Sequence, residues 1–215
     1  MVGKLLGKRL VSAMLFALTA TRKEHMKESN VLIDDNFLPD AAVRDISDRV
    51  IINGLDIPWT LAYRTDTPSG PYAVDDQNVT QSYQFAAGLR EGTQAYEYFM
   101  QVFRAFTLKH RIDVDKIIRV KLNWLPRSFS SSGYHTPHVD FDSEHKVFLY
   151  YINNSDGDTV FFNETLSEQV PESFSEDVRV NPVAGRGVVF NGNVYHASSS
   201  PVTSEFRCIL NIDFA

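Results

Sequence analysis

The sequence predicts a mainly β domain with flanking helices, a sandwich or a jelly roll, and three observations carry that reading. After Asp115 the chain breaks into short strand-like runs divided by turn residues: KIIRVKLNWL, KVFLYYINN, DTVFF, DVRVNP, GVVFN and FRCILNIDF. Ahead of them, two stretches repeat apolar residues at the three-to-four spacing of a helix. The chain has 215 residues, 43% of them hydrophobic and 12% aromatic, enough for one domain with a sizeable core. A double sheet manages its edges by facing one layer with another and leaves one end open, where a metal can be held.

The elements follow in order. Residues 1–30 read as an N-terminal extension, either an amphipathic helix or a targeting segment. Lys4, Lys8 and Arg9 precede an apolar run too short to span a bilayer, and Leu18 stands where cleavage after Ala20 would want a small residue. A working start at Met26 is a third reading. The domain proper is residues 31–215, opening on VLIDDNFLPD as a short strand and a turn. Leu38, Ala42, Val43, Ile46, Val50 and Ile51 then form one helical face, stopped by Asn53 and Gly54. From Asp56 to Gln84 the sequence is rich in turn formers (PWTL, TDTPSGPY, DDQN), as binding loops are. A second helix, Thr93 to about Lys109, sets Tyr98, Phe99, Val102, Phe103 and Phe106 on one side, which reads as core.

A net charge of −6 and a pI near 5.5 leave no uniform positive field, which argues against nucleic acid as a partner. The single cysteine, Cys208, lies in the apolar run FRCILNIDF, where it reads as a small core residue and can form no internal disulfide. That pattern fits a reducing cytoplasm, with secretion through the N-terminal segment as the lesser alternative. No apolar run is long enough for a membrane span.

Chemistry concentrates in GYHTPHVDF, Gly133 to Phe141. On a strand, His138 and Asp140 share one face while Val139 takes the other, which makes a two-armed clamp. His196, in FNGNVYHASSS, is the third arm. Two imidazoles and one carboxylate form the facial triad of non-haem Fe(II) oxygenases, and zinc with the same ligands is the chief alternative. Arg207 opens the run FRCILNIDF. It is either an edge-strand arginine in a surface ion pair or, pointing inward, a planar fork suited to anchoring a dicarboxylic cosubstrate.

In order along the sequence, VLIDDNFLPD, HVD, FLYYIN, DGDTVFF, VNPVAGRGVVFNGNVYHAS and Arg207 resemble the Fe(II)- and 2-oxoglutarate-dependent dioxygenases, specifically the prolyl-4-hydroxylase-like branch with its short phage forms. The resemblance spans about Val31 to Phe214. It implies a double-stranded β-helix, a jelly roll of cupin-like type, with Fe(II) held by His138, Asp140 and His196. It further implies that Arg207 binds the distal carboxylate of 2-oxoglutarate and that Tyr151 adds a hydroxyl to that carboxylate. The implied reaction consumes dioxygen and 2-oxoglutarate, with ascorbate as a stimulant, hydroxylates a small-molecule or peptide substrate such as proline or a prolyl residue, and releases succinate and carbon dioxide. Trp59, Asn123, Trp124, Tyr134 and His135 are candidate lining residues; His145 is expected on an exposed loop and not as a ligand. Two other classes stay open: a non-catalytic metal-binding module, and an AlkB-like nucleic-acid demethylase. The acidic charge and the lack of a second arginine shortly after Arg207 count against the demethylase.

Overall fold

A computed structural model describes residues 31–52, 55–62, 83–128, 133–167 and 171–215. The N-terminal extension, the Asn53-Gly54 stop and the middle of the turn-rich section, residues 63–82, lie outside the described residues. In sequence order run β1 (Val31–Asp34), α1 (Asp40–Ile51), β2 (Thr60–Ala62), β3 (Gln84–Gly88), α2 (Gln94–His110) and β4 (Ile117–Pro126). The second half is all strand: β5 (Lys146–Tyr151), β6 (Thr159–Thr165), β7 (Glu176–Val180), β8 (Gly187–Asn191), β9 (Val194–Ser198) and β10 (Phe206–Phe214).

Seven strands form a large antiparallel sheet in the order β1-β8-β5-β10-β4-β3-β2, and three form a small one in the order β7-β6-β9. A single bridge between His138 and His196 extends the small sheet beyond β9. The outer face of the large sheet carries α1 and α2. There Phe106 of α2 meets Phe37 and Phe148 with ring centroids 5.0 and 4.9 Å apart, and Phe103 meets Phe214 at 5.0 Å. Edge-on contacts such as those of Phe37 with Phe106 and Phe103 with Phe214 are favourable beyond the area they bury. Gly187 on β8 is required here, since a Cβ would sit 2.6 Å from the Phe106 ring.

Alternation along each strand splits the side chains between two environments. On β10, Cys208, Leu210, Ile212 and Phe214 enter the helix-side core, whereas Ile209 faces the space between the sheets with Val147, Leu149 and Tyr151 of β5. Cys208 is buried, as expected, and burial pushes its thiol up to about 12.

The helices match the apolar spacing. Thr93 caps α2, its hydroxyl accepting from Tyr96 N at 3.3 Å, and Arg111 ends it in the left-handed region at φ 54°. Asp45 of α1 takes Arg49 at 2.8 Å and the Tyr98 hydroxyl at 3.0 Å, tying the two helices together. The turn-rich section holds one short strand, β2, and leads into another, β3, neither of which its composition shows. QFAAG on β3 has little strand character of its own and is ordered by pairing with β4. No helix among the described residues is long and apolar enough to cross a membrane.

Phe106 is fully buried between α2 and the sheet. Phe106→Ala should lower the unfolding free energy by about 3–5 kcal/mol, read from urea denaturation midpoints at unchanged m-value.

Candidate active site

Three candidate ligands come together from two segments. His196 sits on β9, and His138 opposite it on the bridging segment, where the two residues exchange reciprocal backbone hydrogen bonds of 3.0 Å. No strand runs from His138 to Asp140, unlike the expectation from spacing; a bridge at His138 is enough to aim both side chains at His196. His135 secures the same segment. Its Nδ1 meets the Ser198 hydroxyl at 2.8 Å, its Nε2 the Ser200 hydroxyl at 3.0 Å, and its N–H donates to the Ser198 carbonyl. It acts as a staple between the segment and β9, not as a lining residue.

The imidazoles are held in one tautomer. Nδ1 of His138 donates to the Thr136 carbonyl at 3.0 Å and Nδ1 of His196 to the Val194 carbonyl at 3.2 Å, which leaves both Nε2 lone pairs free. Nε2 of His196 lies 3.6 Å from Asp140 Oδ2, and one ligand atom from each of the three residues falls within 4.8 Å of the others. Burial lowers the pKa of His138, and takes His196 down to about 3, where a second proton would also meet the neighbouring His138. Burial alone would raise the Asp140 carboxyl, but Lys121 and Arg119 hold it well below the usual carboxylate range. Neutral imidazoles beside an ionised carboxylate are the protonation states a divalent metal needs.

Asp140 Oδ1 is bonded by Arg119 and lies 3.4 Å from Lys121 Nζ. Arg119 also donates from Nε to Asp213 at 2.8 Å and packs over the Phe141 ring. Burial first, then the Asp140 charge, pushes the Asp213 carboxyl up to about 7 against the pull of Arg119.

Arg207 occupies the other end of the cleft at 1% exposure. One amino group donates to the Thr159 hydroxyl at 2.7 Å, and the same oxygen lies 2.7 Å from the Tyr151 hydroxyl. The approach to β10 is shaped by Asp156, whose carboxylate accepts from the backbone N–H groups of Val202, Thr203 and Ser204. Gly157 lets this turn close, since a Cβ there would lie 2.6 Å from the Ser199 carbonyl. The cleft between Arg207 and the histidines is lined by Leu125, Leu149 and Ile209 on its apolar side and by Lys121, Asn123 and Asn211 on its polar side.

Of the residues singled out from sequence, His138, Asp140, His196, Arg207 and Asn123 thus share one site. Tyr151 stands behind Thr159 at the Arg207 end. Trp59 and Trp124 pack on each other at 5.8 Å at the margin of the helix-side core, and Tyr134 packs on Phe162 on the outside of the small sheet. His145 is buried, not exposed. Its ring lies against Gly192 with Nδ1 bonded to the Ser143 carbonyl at 2.7 Å, and it is no part of the triad. Sequence reasoning missed Thr159, Arg119, Lys121, Asn211 and Asp213. Arg119, Lys121 and Asn123 alternate within an apolar strand, as do Arg207, Asn211 and Asp213; that period of two is the signal that could have found all but Thr159.

Four strands of the large sheet, β8-β5-β10-β4, face β7-β6-β9 and the His138 bridge, with the triad at the open end. That is a double-stranded β-helix. Solved structures that share it are prolyl hydroxylases and other Fe(II)/2-oxoglutarate oxygenases. A Pseudomonas putida prolyl-4-hydroxylase matches over 95% of this protein and 98% of its own length, at TM-score 0.52 and 17% identity. A Trichoplax adhaerens prolyl hydroxylase, solved with a hypoxia inducible factor peptide fragment, matches over 100% and 92%, at TM-score 0.55 and 14% identity. The nogalamycin epimerase SnoN, solved with Fe3+ and alpha ketoglutarate, matches over 96% and 82%, at TM-score 0.59 and 10% identity. No protein-family model and no curated protein sequence matches this one.

The depressed pKa of His196 fixes the sign of a pH effect on the metal-free protein. An unfolded histidine takes up a proton near pH 6.5, whereas folded His196 refuses it until about pH 3, so stability falls as pH drops through that window. Between pH 7.5 and 5.5 His196 should cost the fold about 1.4 kcal/mol, and His196→Asn should show a loss smaller by that amount in urea titrations at the two pH values.

Proposed function

We propose that the protein is an Fe(II)- and 2-oxoglutarate-dependent oxygenase that hydroxylates a small-molecule or peptide substrate. His138, Asp140 and His196 are its iron ligands, and Arg207 is its cosubstrate anchor. One observation supports this above the others: a fully buried guanidinium with no carboxylate partner among the described residues shares a cleft with a His-Asp-His cluster. A buried unpaired cation is costly, and an anionic ligand removes that cost. Nε of Arg207 has no hydrogen-bond partner among the described residues and can donate to it.

The donor set fits the metal. Two free Nε2 lone pairs and one carboxylate oxygen converge, while the second Asp140 oxygen is occupied by Arg119, which favours single-oxygen ligation and leaves coordination positions open. Bound iron with 2-oxoglutarate supplies the oxidative chemistry, in which the keto acid is converted to succinate and carbon dioxide. The protein supplies orientation. Arg207 holds the distal carboxylate. Thr159, which accepts from Arg207, can give its own hydroxyl proton to the same carboxylate, and Tyr151 fixes Thr159. Tyr151 therefore works one residue removed from the contact that its resemblance implied. Leu125, Leu149 and Ile209 exclude water along the methylene stretch between the two ends. The prolyl hydroxylases among the solved structures make proline or a prolyl residue the first substrates to try.

Purified protein with Fe(II) should convert 2-oxoglutarate to succinate, and His138→Ala should abolish both metal uptake and succinate. Arg207→Ala should weaken 2-oxoglutarate by about two decades or more, because it strands a buried carboxylate, and Thr159→Val by about tenfold, one hydrogen bond to a charged group. Wild-type protein that binds iron but yields no succinate with any substrate tried would leave a metal-binding module.

A further inference from the structure

The cleft changes character along its length. Cross-strand pairs on its β4–β10 wall run Leu125 with Arg207, Asn123 with Ile209, Lys121 with Asn211 and Arg119 with Asp213. The end near Arg207 is apolar around one cation, as a dicarboxylate with a methylene spacer requires. Toward the triad the wall offers two amides and an ammonium.

Their hydrogen bonding is incomplete in a particular way. Asn211 is 4% exposed, and its Nδ2 lies 3.5 Å from Asp140 Oδ2, which orients the amide with Oδ1 turned from the carboxylate. Asn123 gives its Nδ2 to Gln84 Oε1 at 2.8 Å. Both Oδ1 atoms are buried and have no hydrogen-bond partner among the described residues. Among the described residues Lys121 reaches only Asp140 Oδ1, at 3.4 Å, an oxygen that Arg119 already holds more closely, so it keeps N–H donors to give. Two acceptors thus flank one cation on neighbouring positions of a single sheet face, roughly 5–7 Å apart.

Neither the cosubstrate nor a peptidyl proline satisfies the acceptors, whereas free proline, the other substrate named above, has an ammonium that can. The 2-oxoglutarate dianion has no hydrogen-bond donor, so placing it against the amide carbonyls leaves both unpaired. A prolyl residue within a peptide has no N–H on its ring nitrogen, and its ring carbons are apolar; burying either carbonyl against it leaves the desolvated acceptor unsatisfied, which is costly. A free amino acid carries an ammonium and a carboxylate on one carbon and is neutral overall.

Resting on the oxygenase reading above, we propose that the substrate is a free α-amino acid, its ammonium held by the amide carbonyls of Asn123 and Asn211 and its carboxylate by Lys121. The reaction balances without a further reagent. One oxygen atom of dioxygen enters a C–H bond of the amino acid's side chain to give C–OH, the other enters succinate, and 2-oxoglutarate loses carbon dioxide.

The test uses binding, independent of turnover. Zn(II)-loaded protein with 2-oxoglutarate is titrated calorimetrically with each of the twenty free L-amino acids, and any that binds is compared with its N-acetyl and carboxamide forms and with proline-containing peptides. At least one free amino acid should bind, and blocking either end should weaken it about tenfold or more. Asn123→Leu and Lys121→Met should each weaken the same amino acid about tenfold or more, in protein whose Zn(II) content and 2-oxoglutarate saturation are measured for each variant. The proposal is overturned if no amino acid binds to protein that does bind 2-oxoglutarate, if blocked forms or peptides bind as well as the free form, or if the variants keep wild-type affinity. Loaded wild-type protein that fails to bind 2-oxoglutarate would sink the oxygenase reading, and the amino-acid proposal with it.

Discussion

Strict alternation along β10 is the constraint on which the rest of the molecule depends. This central strand has two different jobs on its two faces, and the side-chain period of two keeps them apart. Cys208, Leu210, Ile212 and Phe214 lock it to the helices, while Arg207, Ile209 and Asn211 floor the cleft and Asp213 continues the same face toward Arg119. A slip of one residue would bury a cation, an amide and a carboxylate among phenylalanines. The cost of that exchange fixes the register, and the register fixes the level of Arg207 relative to the triad.

Around this strand, the polar groups of the site are held by partners that tolerate burial. Arg119 lies between two carboxylates, Asp140 and Asp213, so a cation beside a prospective metal is neutralised on both sides. The Asp156 turn plays the equivalent part at the other end, taking up three backbone N–H groups where the backbone enters β10. The Asp140 and Asp213 side chains are buried beside the Arg119 guanidinium, which lowers the cost of a carboxylate there, whereas Asp156 is exposed and is tied by its backbone hydrogen bonds.

The sequence made the two helices and most of the strands legible because their apolar spacing is regular. It could not show β3, whose order comes from pairing with β4, nor the burial of His145, which looked loop-like but is roofed by contact with Gly192. His138, Asp140, His196 and Arg207 were readable as types at suggestive spacings. What joins them is tertiary: reciprocal hydrogen bonds across one bridge for the triad, and a hydroxyl of Thr159 that no motif flags for Arg207. Tyr151 shows the limit well. A tyrosine in FLYYIN can be placed on the inward face by counting, but whether its hydroxyl meets a ligand or another residue depends on what β6 presents opposite.

Cys208 gains meaning from its place directly after Arg207 on that same strand. Thiolate, not thiol, reacts with oxidants and alkylating reagents, and burial holds this sulfur in its protonated form. A protein whose only thiol is shielded behind its own cleft keeps that sulfur from passing oxidants. The same shielding makes the sulfur a reporter: it becomes reactive when β10 separates from the helices, so the rate of thiol labelling measures the opening of the strand that builds the site.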